Sequence, residues 1–176
     1  MASTFTAHFD RIAPAANKYM VDIFNTTATR KVIIKRIWQY TANVTAVTGV
    51  LLEQEMRFIT ARTVGTSITP IAHDTSLTLT AGITADSGST GVTEATGNRA
   101  LFKRWLTTAE EALLAELHTS LEGAKMQLHD AQLVYWAKSD ADGLVLRQNQ
   151  GLVIKNITSS TAGTLSYLVE FTDEAA

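Results

Sequence analysis

The stretch GLVLRQNQGLVIKNITSSTAGTLSYLVEFT, residues Gly143–Thr172, decides the fold class. It reads as three consecutive strands, Leu144–Arg147, Leu152–Ile157 and Thr164–Thr172, separated by the polar turns Gln148–Gly151 and Thr158–Gly163. In the last strand Leu165, Tyr167, Val169 and Phe171 share one parity, while Thr164, Ser166, Glu170 and Thr172 hold the other and only Leu168 breaks the pattern. Successive side chains on a strand point to opposite faces, so this alternation builds one apolar face and one wet face. A sheet with one covered side is the immediate implication.

Upstream of that stretch the same period returns. Thr4–Phe9 alternates with Phe5, Ala7 and Phe9 on one parity, which fits an N-terminal strand or an arm docking on a neighbour. Asp10–Asn17, with Pro14, reads as a connection. Lys18–Asn25 reads as a half-buried strand, with Tyr19, Val21 and Ile23 opposite Lys18, Met20, Asp22 and Phe24. Lys31–Tyr40 is apolar on both faces and suits a central strand or one covered by a partner. In Gly49–Thr63, Leu52, Gln54, Met56 and Phe58 oppose Glu53, Glu55 and Arg57. Thr75–Ile83 alternates most cleanly in the first half, with Leu77, Leu79, Ala81 and Ile83 inward, and predicts a strand. Asp86–Gly97, DSGSTGVTEATG, has no period and predicts a mobile surface loop. Short strands are expected at Leu101–Leu106 and within Lys125–Ala137.

One helix interrupts the β pattern at Ala109–Leu121. Thr107 or Thr108 can cap its N-terminus, Glu110 or Glu111 completes a capping box, and Leu113, Leu114, Leu117 and Leu121 recur at helical spacing ahead of the stop at Gly123. About ten extended segments and one late helix exclude a parallel α/β fold, which needs a crossover helix between strands. The expectation is a single all-β domain over 1–176, an antiparallel two-sheet sandwich of jelly-roll type, with 1–17 as an N-terminal arm.

Composition narrows the function. A net charge of −2 and a pI near 6.1 argue against a dedicated nucleic-acid binder. The chain has no cysteine, so disulfides, thiolate metal sites and cysteine nucleophiles are absent. No apolar run reaches the roughly 20 residues of a membrane helix, and the first ten residues lack the signature of a secretory signal. The 26 threonines suit pleated surfaces kept soluble by hydroxyl groups.

Candidate chemistry is thin. Glu53 and Glu55 fall about 7 Å apart on one strand face, a spacing a glycosidase pair could use, but Arg57 beside them makes a neutralised strand face the simpler reading. His8, His73, His118 and His129 share no ligand spacing. His73, Asp74 and Ser76 contain the residue types of a triad without a nucleophile elbow. Asp140 and Asp142 lack the glutamate that closes a calcium loop. Arg30, Lys31, Lys35 and Arg36, near Trp38 and Tyr40, could face phosphates or an acidic protein surface. The N-x-T sequons at Asn25, Asn43 and Asn156 read as accidents of a threonine-rich chain. No catalytic residue, cofactor or metal is expected.

The segment Leu144–Gly151, followed by Leu152–Thr158 and Gly163–Asp173, resembles the C-terminal segment of small virion structural proteins of tailed bacteriophages. RKVIIKRIWQY and EMRFITARTVGTSITPIAHD in the first half have the same flavour, while Gln148 and Gln150 depart from the turn expected there. The resemblance implies a jelly-roll protein of the virion. It further implies a non-enzymatic capsid decoration or cement protein on the outer surface of the head, made in the host cytoplasm, self-associating with a trimer favoured, and bound to the major capsid protein or another virion protein. A receptor-binding tip or fibre module that holds glycan, or a head-to-tail collar component, are the alternatives. Within that reading Phe5, His8, Phe9 and Arg11 are the expected capsid contacts. Ile34, Arg36, Trp38, Leu113, Leu117 and Leu121 are the expected subunit interface.

Overall fold

The computed structural model describes residues 3–41, 51–96, 101–107, 132–139, 143–159 and 163–176. Among them are thirteen strands: β1 (Ser3–Ile12), β2 (Tyr19–Asn25), β3 (Arg30–Thr41), β4 (Leu51–Thr63), β5 (Thr66–Ile68), β6 (Ile71–Ala72), β7 (Ile83–Ser87), β8 (Thr90–Glu94), β9 (Phe102–Thr107), β10 (Gln132–Trp136), β11 (Leu144–Leu146), β12 (Gln150–Asn156) and β13 (Leu165–Ala175). They form two antiparallel sheets packed face to face, a β-sandwich. The expected helix, with Leu113, Leu117 and Leu121, lies outside the described residues, as do Asn43, His118, His129, Asp140 and Asp142.

The pairing is nested. In the first sheet the order is β10-β3-β13-β1-β6, with β11 beside β10 along the same flank of β3. In the second it is β5-β7-β2-β12-β4-β8, with β9 also on β4. Thus β1 pairs with β13, β2 with β12, β3 with β10 and β11, and β4 with β8 and β9. A chain folded into one long antiparallel ribbon and then wrapped across two sheets gives this jelly-roll-like order. The three strands of Gly143–Thr172 are therefore not neighbours, since β11 and β13 lie in the first sheet and β12 in the second.

The core fills the space between the sheets. Phe5, Ala7 and Phe9 of β1, Val32, Ile34 and Ile37 of β3, and Leu165, Tyr167, Val169 and Phe171 of β13 face Met20, Val21 and Ile23 of β2, Leu52 and Met56 of β4, and Leu152 and Ile154 of β12. Phe5 and Phe171 stack with ring centres 5.8 Å apart. The Gln54 side-chain amide donates to the buried Tyr167 hydroxyl at 2.6 Å, which satisfies that polar group inside the core.

Several expectations change. β1 is an interior strand between β13 and β6, so residues 3–12 are part of the sheet and not an arm. β2 is buried on both faces, with Asp22 and Phe24 as enclosed as Val21 and Ile23, and a bulge at its start brings Met20 into the inter-sheet core as well. Thr75–Gly82 is not a strand: Leu77 and Ala81 are exposed, Leu79 packs half-buried against the core, and Ile83 enters it at the start of β7. Alternation gives a segment two faces, but a strand also needs a neighbour. This segment instead hangs on Asp173, whose carboxylate accepts from the backbone N–H and hydroxyl of Thr80 at 3.2 and 2.5 Å. Conversely, the predicted loop Asp86–Gly97 holds the end of β7 and all of β8 through Glu94.

The same loop closes an unexpected ring. β4 pairs with β8 at Ile59↔Glu94, Ala61↔Thr93 and Thr63↔Thr90, and β5 pairs with β7 at Thr66↔Ser87, Ser67↔Asp86 and Ile68↔Ala85. Only Val64 and Gly65 separate β4 from β5, and only Gly88 and Ser89 separate β7 from β8. The four strands thus make one bent hairpin, whose β4 half lies against β12 and whose β7 half lies against β2. Because β2 pairs with β12, the circuit closes over the outer face of the second sheet. Under it sits a second small core of Phe24, Ile59 and Val153, flanked by Tyr19 and Val92.

Candidate functional site

The first sheet presents an outer face of different character. A β-bulge opposite the Glu170–Phe171 step leaves Lys35 without a place in the β13 register and switches the parity of β3. Val32 and Ile34 point inward before it and Ile37 after it, so Arg36, Trp38 and Tyr40 emerge on the outer side. Antiparallel partners share a face, and two rows follow. One runs Trp136, Arg36, Glu170, Thr6, Ile71; the other runs Leu133, Trp38, Leu168, His8.

These rows put an apolar stripe beside a charged one. Leu133 is 43 %, Trp136 58 % and Ile71 68 % exposed, values a monomer pays for in solubility. Leu133, Trp38, Trp136 and Arg36 enclose an apolar hollow of about 200 Å³. On the other side of Trp136 a more polar hollow of about 380 Å³ is lined by Lys35, Arg36, Lys138, Glu170, Thr172 and Glu174 among others. Trp136 therefore stands as a ridge between an apolar and a polar depression. Such a mixture of aromatic anchors, an Arg and a hydrogen-bonding margin is what protein interfaces use.

The basic quartet is largely answered within the fold. Arg30 meets Asp173 at 2.5 Å, Lys31 meets Glu174 at 3.6 Å and Arg36 meets Glu170 at 3.7 Å, all across the β3–β13 pair. The positive charges of β3 thus face the acidic residues of β13 and do not form an open phosphate-binding patch.

The expected contact residues separate into two groups. Phe5, Phe9 and Ile34 are wholly buried in the core, so they cannot meet a partner while the fold is intact. Strand alternation had already placed Phe5 and Phe9 together; what it could not give was which side the rest of the chain covers. His8 and Arg11 are exposed. His8 shares a 2.6 Å hydrogen bond with the Tyr40 hydroxyl, and Arg11 holds a left-handed backbone (φ 49°) with its N–H donated to Ser166 Oγ at 2.9 Å. Arg36 and Trp38 lie on the outer face as the interface reading requires, joined by Leu133 and Trp136 from the edge strand β10.

Reactive arrangements do not assemble among the described residues. Ser76 donates its hydroxyl to Asp74 at 2.7 Å while His73 pairs with Thr6 at 2.7 Å, so no histidine lies between serine and aspartate. Those two bonds from Ser76, hydroxyl and backbone, hold the exposed Asp74 carboxyl below its ordinary range. Arg57 donates to Glu55 at 2.6 and 2.8 Å and to Glu94 at 2.8 Å, which ties up the strand-face carboxylate. No group of three or more His, Asp or Glu side chains among the described residues could hold a metal ion. Asn25 and Asn156 are buried, each amide donating to two backbone carbonyls, Arg30 and Leu146 for the first and Ala15 and Thr158 for the second. Neither can carry a glycan in the folded state.

One cluster was not foreseen from the sequence. Asp22 of β2 and Asp86 of β7 are direct cross-strand partners, and Arg62 of β4 reaches both. Arg62 Nε lies 2.6 Å from Asp22 Oδ2, and its Nη2 contacts Asp86 Oδ2 and donates to Thr84 Oγ1 at 2.6 Å. Ser89 donates to Asp22 at 2.8 Å and Ser67 to Asp86 at 2.8 Å, while the guanidinium lies 5.3 Å above the Phe24 ring. Both carboxylates are fully buried, which places the cluster out of reach of a substrate. An aspartate amid the apolar MVDIF was the available clue, and its partners lie 40 and 64 residues further along the chain.

Comparison with known families, with characterised proteins and with solved structures returns no match, so the function has to be argued from the surface itself.

Proposed function

We propose that the chain is a non-enzymatic virion structural protein, a decoration or cement protein that binds the outside of a phage head as a homo-oligomer, a trimer favoured. The observation that carries the binding part is the stripe Leu133, Trp38, Leu168 with Trp136 beside it, on the outer face of the first sheet. Large apolar side chains held on a rigid sheet, next to a row of charge, favour burial against another folded surface. The resemblance of the tail stretch to phage virion proteins supports the particular setting. Many copies each burying such a stripe would strengthen a shell, since opening it would also require parting those contacts.

The test has two arms. Light scattering of the purified protein should give a defined oligomer. Co-sedimentation with heads that lack it should recover bound protein, and Trp136→Ser together with Leu133→Ser should reduce binding at least tenfold without lowering the melting temperature. A monomer that ignores the heads would overturn the reading. The polar hollow beside Trp136 favours a second reading, a glycan-binding tip, because sugars stack on exposed aromatics beside hydrogen-bonding side chains. In that case host polysaccharide should change tryptophan fluorescence and Trp136→Ser should abolish the response.

A further inference from the structure

We propose that Arg62, Asp22 and Asp86 form a latch that fastens the bent β4–β5/β7–β8 hairpin across the second sheet and that tightens in mildly acidic solution. The geometry stands on three elements meeting at one buried point. Asp22 comes from β2, Asp86 from β7 and Arg62 from the end of β4, with Ser67 of β5 and Ser89 of the Gly88–Ser89 link hydrogen-bonded to the carboxylates. The charge count is uneven, one guanidinium against two carboxylates. Like charges directly opposite on neighbouring strands repel, and Arg62 can offset only one of them in full. Among the described residues, Asp22 Oδ1 and Arg62 Nη1 are also buried with no hydrogen-bond partner. A proton on Asp22 makes the cluster neutral and removes the uncompensated anion.

Among the described residues the groups around Asp22 are few. Arg62 and Asp86 are the charged ones and Ser89 the neutral donor, while the neighbouring Lys18 turns its ammonium to the Ala13 carbonyl at 2.8 Å. Burial, first, and the Asp86 charge push the Asp22 carboxyl up from its ordinary 3.8 to about 6, against the opposing pull of Arg62 and Ser89. A carboxyl with a raised folded-state pKa contributes stability that is fully present below the unfolded value, near 3.8, and lost as pH rises through about 6. Between pH 7.5 and 5 that linkage amounts to about a tenfold gain in the closed form.

Native-state hydrogen exchange reads the latch directly. Protection of the β5 and β7 amides, corrected for intrinsic exchange, should rise about tenfold from pH 7.5 to pH 5 in the wild-type chain. In Asp22→Asn, which mimics the protonated side chain, it should be high and flat over that range. In Asp86→Asn the rise should persist with its midpoint moved to lower pH, because one cause of the raised pKa is gone. Wild-type protection that stays level or falls on acidification overturns the proposal, as does an Asp22→Asn chain that keeps the wild-type slope. If Asp22→Asn does not fold, an unmoved midpoint in Asp86→Asn is the overturning result.

Discussion

Two glycines at the crossing of the bent hairpin show how one residue type serves two physical demands. A Cβ on Gly65 would lie 2.1 Å from the Ser87 carbonyl oxygen and 2.7 Å from the Ser89 nitrogen, so the position is set by backbone approaching backbone. Gly88 meets nothing nearer than Lys18 Cε at 4.0 Å, but its φ of +69° is one that other residues seldom adopt. Alanine should therefore cost more at Gly65, about 3 kcal/mol from enforced backbone shifts, than at Gly88, about 1 kcal/mol from the left-handed conformation. Asparagine separates the causes, since it tolerates the left-handed region: Gly88→Asn should be milder than Gly88→Ala, and Gly65→Asn harsher than Gly65→Ala. Urea denaturation of the four variants checks the ordering, and equal losses at the two sites would contradict it.

At the scale of the element, the sequence was legible where the period and the neighbour agree. The apolar face of β13 could be read, because Leu165, Tyr167, Val169 and Phe171 are all enclosed on the face their alternation marks, whereas its run to Ala175 and the burial of Ser166 and Thr172 on the other face could not. β3 was read as central or partner-covered, and Ile34 was wrongly grouped with Arg36 and Trp38, because the bulge at Lys35 inserts a residue whose only signature is the register of β13. Thr75–Gly82 and β8 fail in opposite directions for one reason: pairing depends on what lies alongside, and a glycine- and threonine-rich strand at an edge looks like a loop. The outer-face stripe was only half visible: Arg36 and Trp38 could be named as an interface, but that Leu133 and Trp136 stand beside them comes from the β10–β3 pair. β1 gives the sharpest prediction here. It carries Phe5, Ala7 and Phe9 into the core and pairs on both sides, so removing residues 1–12 deletes an interior strand. Losing two buried phenylalanines alone costs about 6–10 kcal/mol, comparable with the whole stability of a domain. The truncated chain should be insoluble or lack a cooperative melt by circular dichroism; a sharp transition in it would restore the reading of this segment as a detachable arm.

Across the whole molecule, nested pairing means that the first and last strands complete one sheet together. β13 lies between β1 and β3, and Ser3 faces Asp173, so the chain's two ends run side by side. Most native contacts therefore join residues far apart in sequence, and folding must close large loops before β13 can dock, which places this topology among slow folders, milliseconds to seconds. The same nesting separates two roles of β13: being present and being last. Its seat is fixed by hydrogen bonds to β1 and β3 and by Leu165, Tyr167, Val169 and Phe171 in the core, none of which depends on its link to β12. A permuted chain opened between Gly163 and Thr164, with Ala176 joined to Met1 by a short Gly/Ser linker, turns β13 and β1 into a hairpin and leaves every pairing intact. Moving the connection changes loop-closure entropy by about 1 kcal/mol, small against the stability of a domain. The permutant should keep the wild-type circular dichroism spectrum and melt within several degrees of it while refolding faster, because its first pairing becomes local. If it fails to fold while the linear chain folds, the β12–β13 connection itself is required, and nested pairing is not sufficient to specify the sandwich.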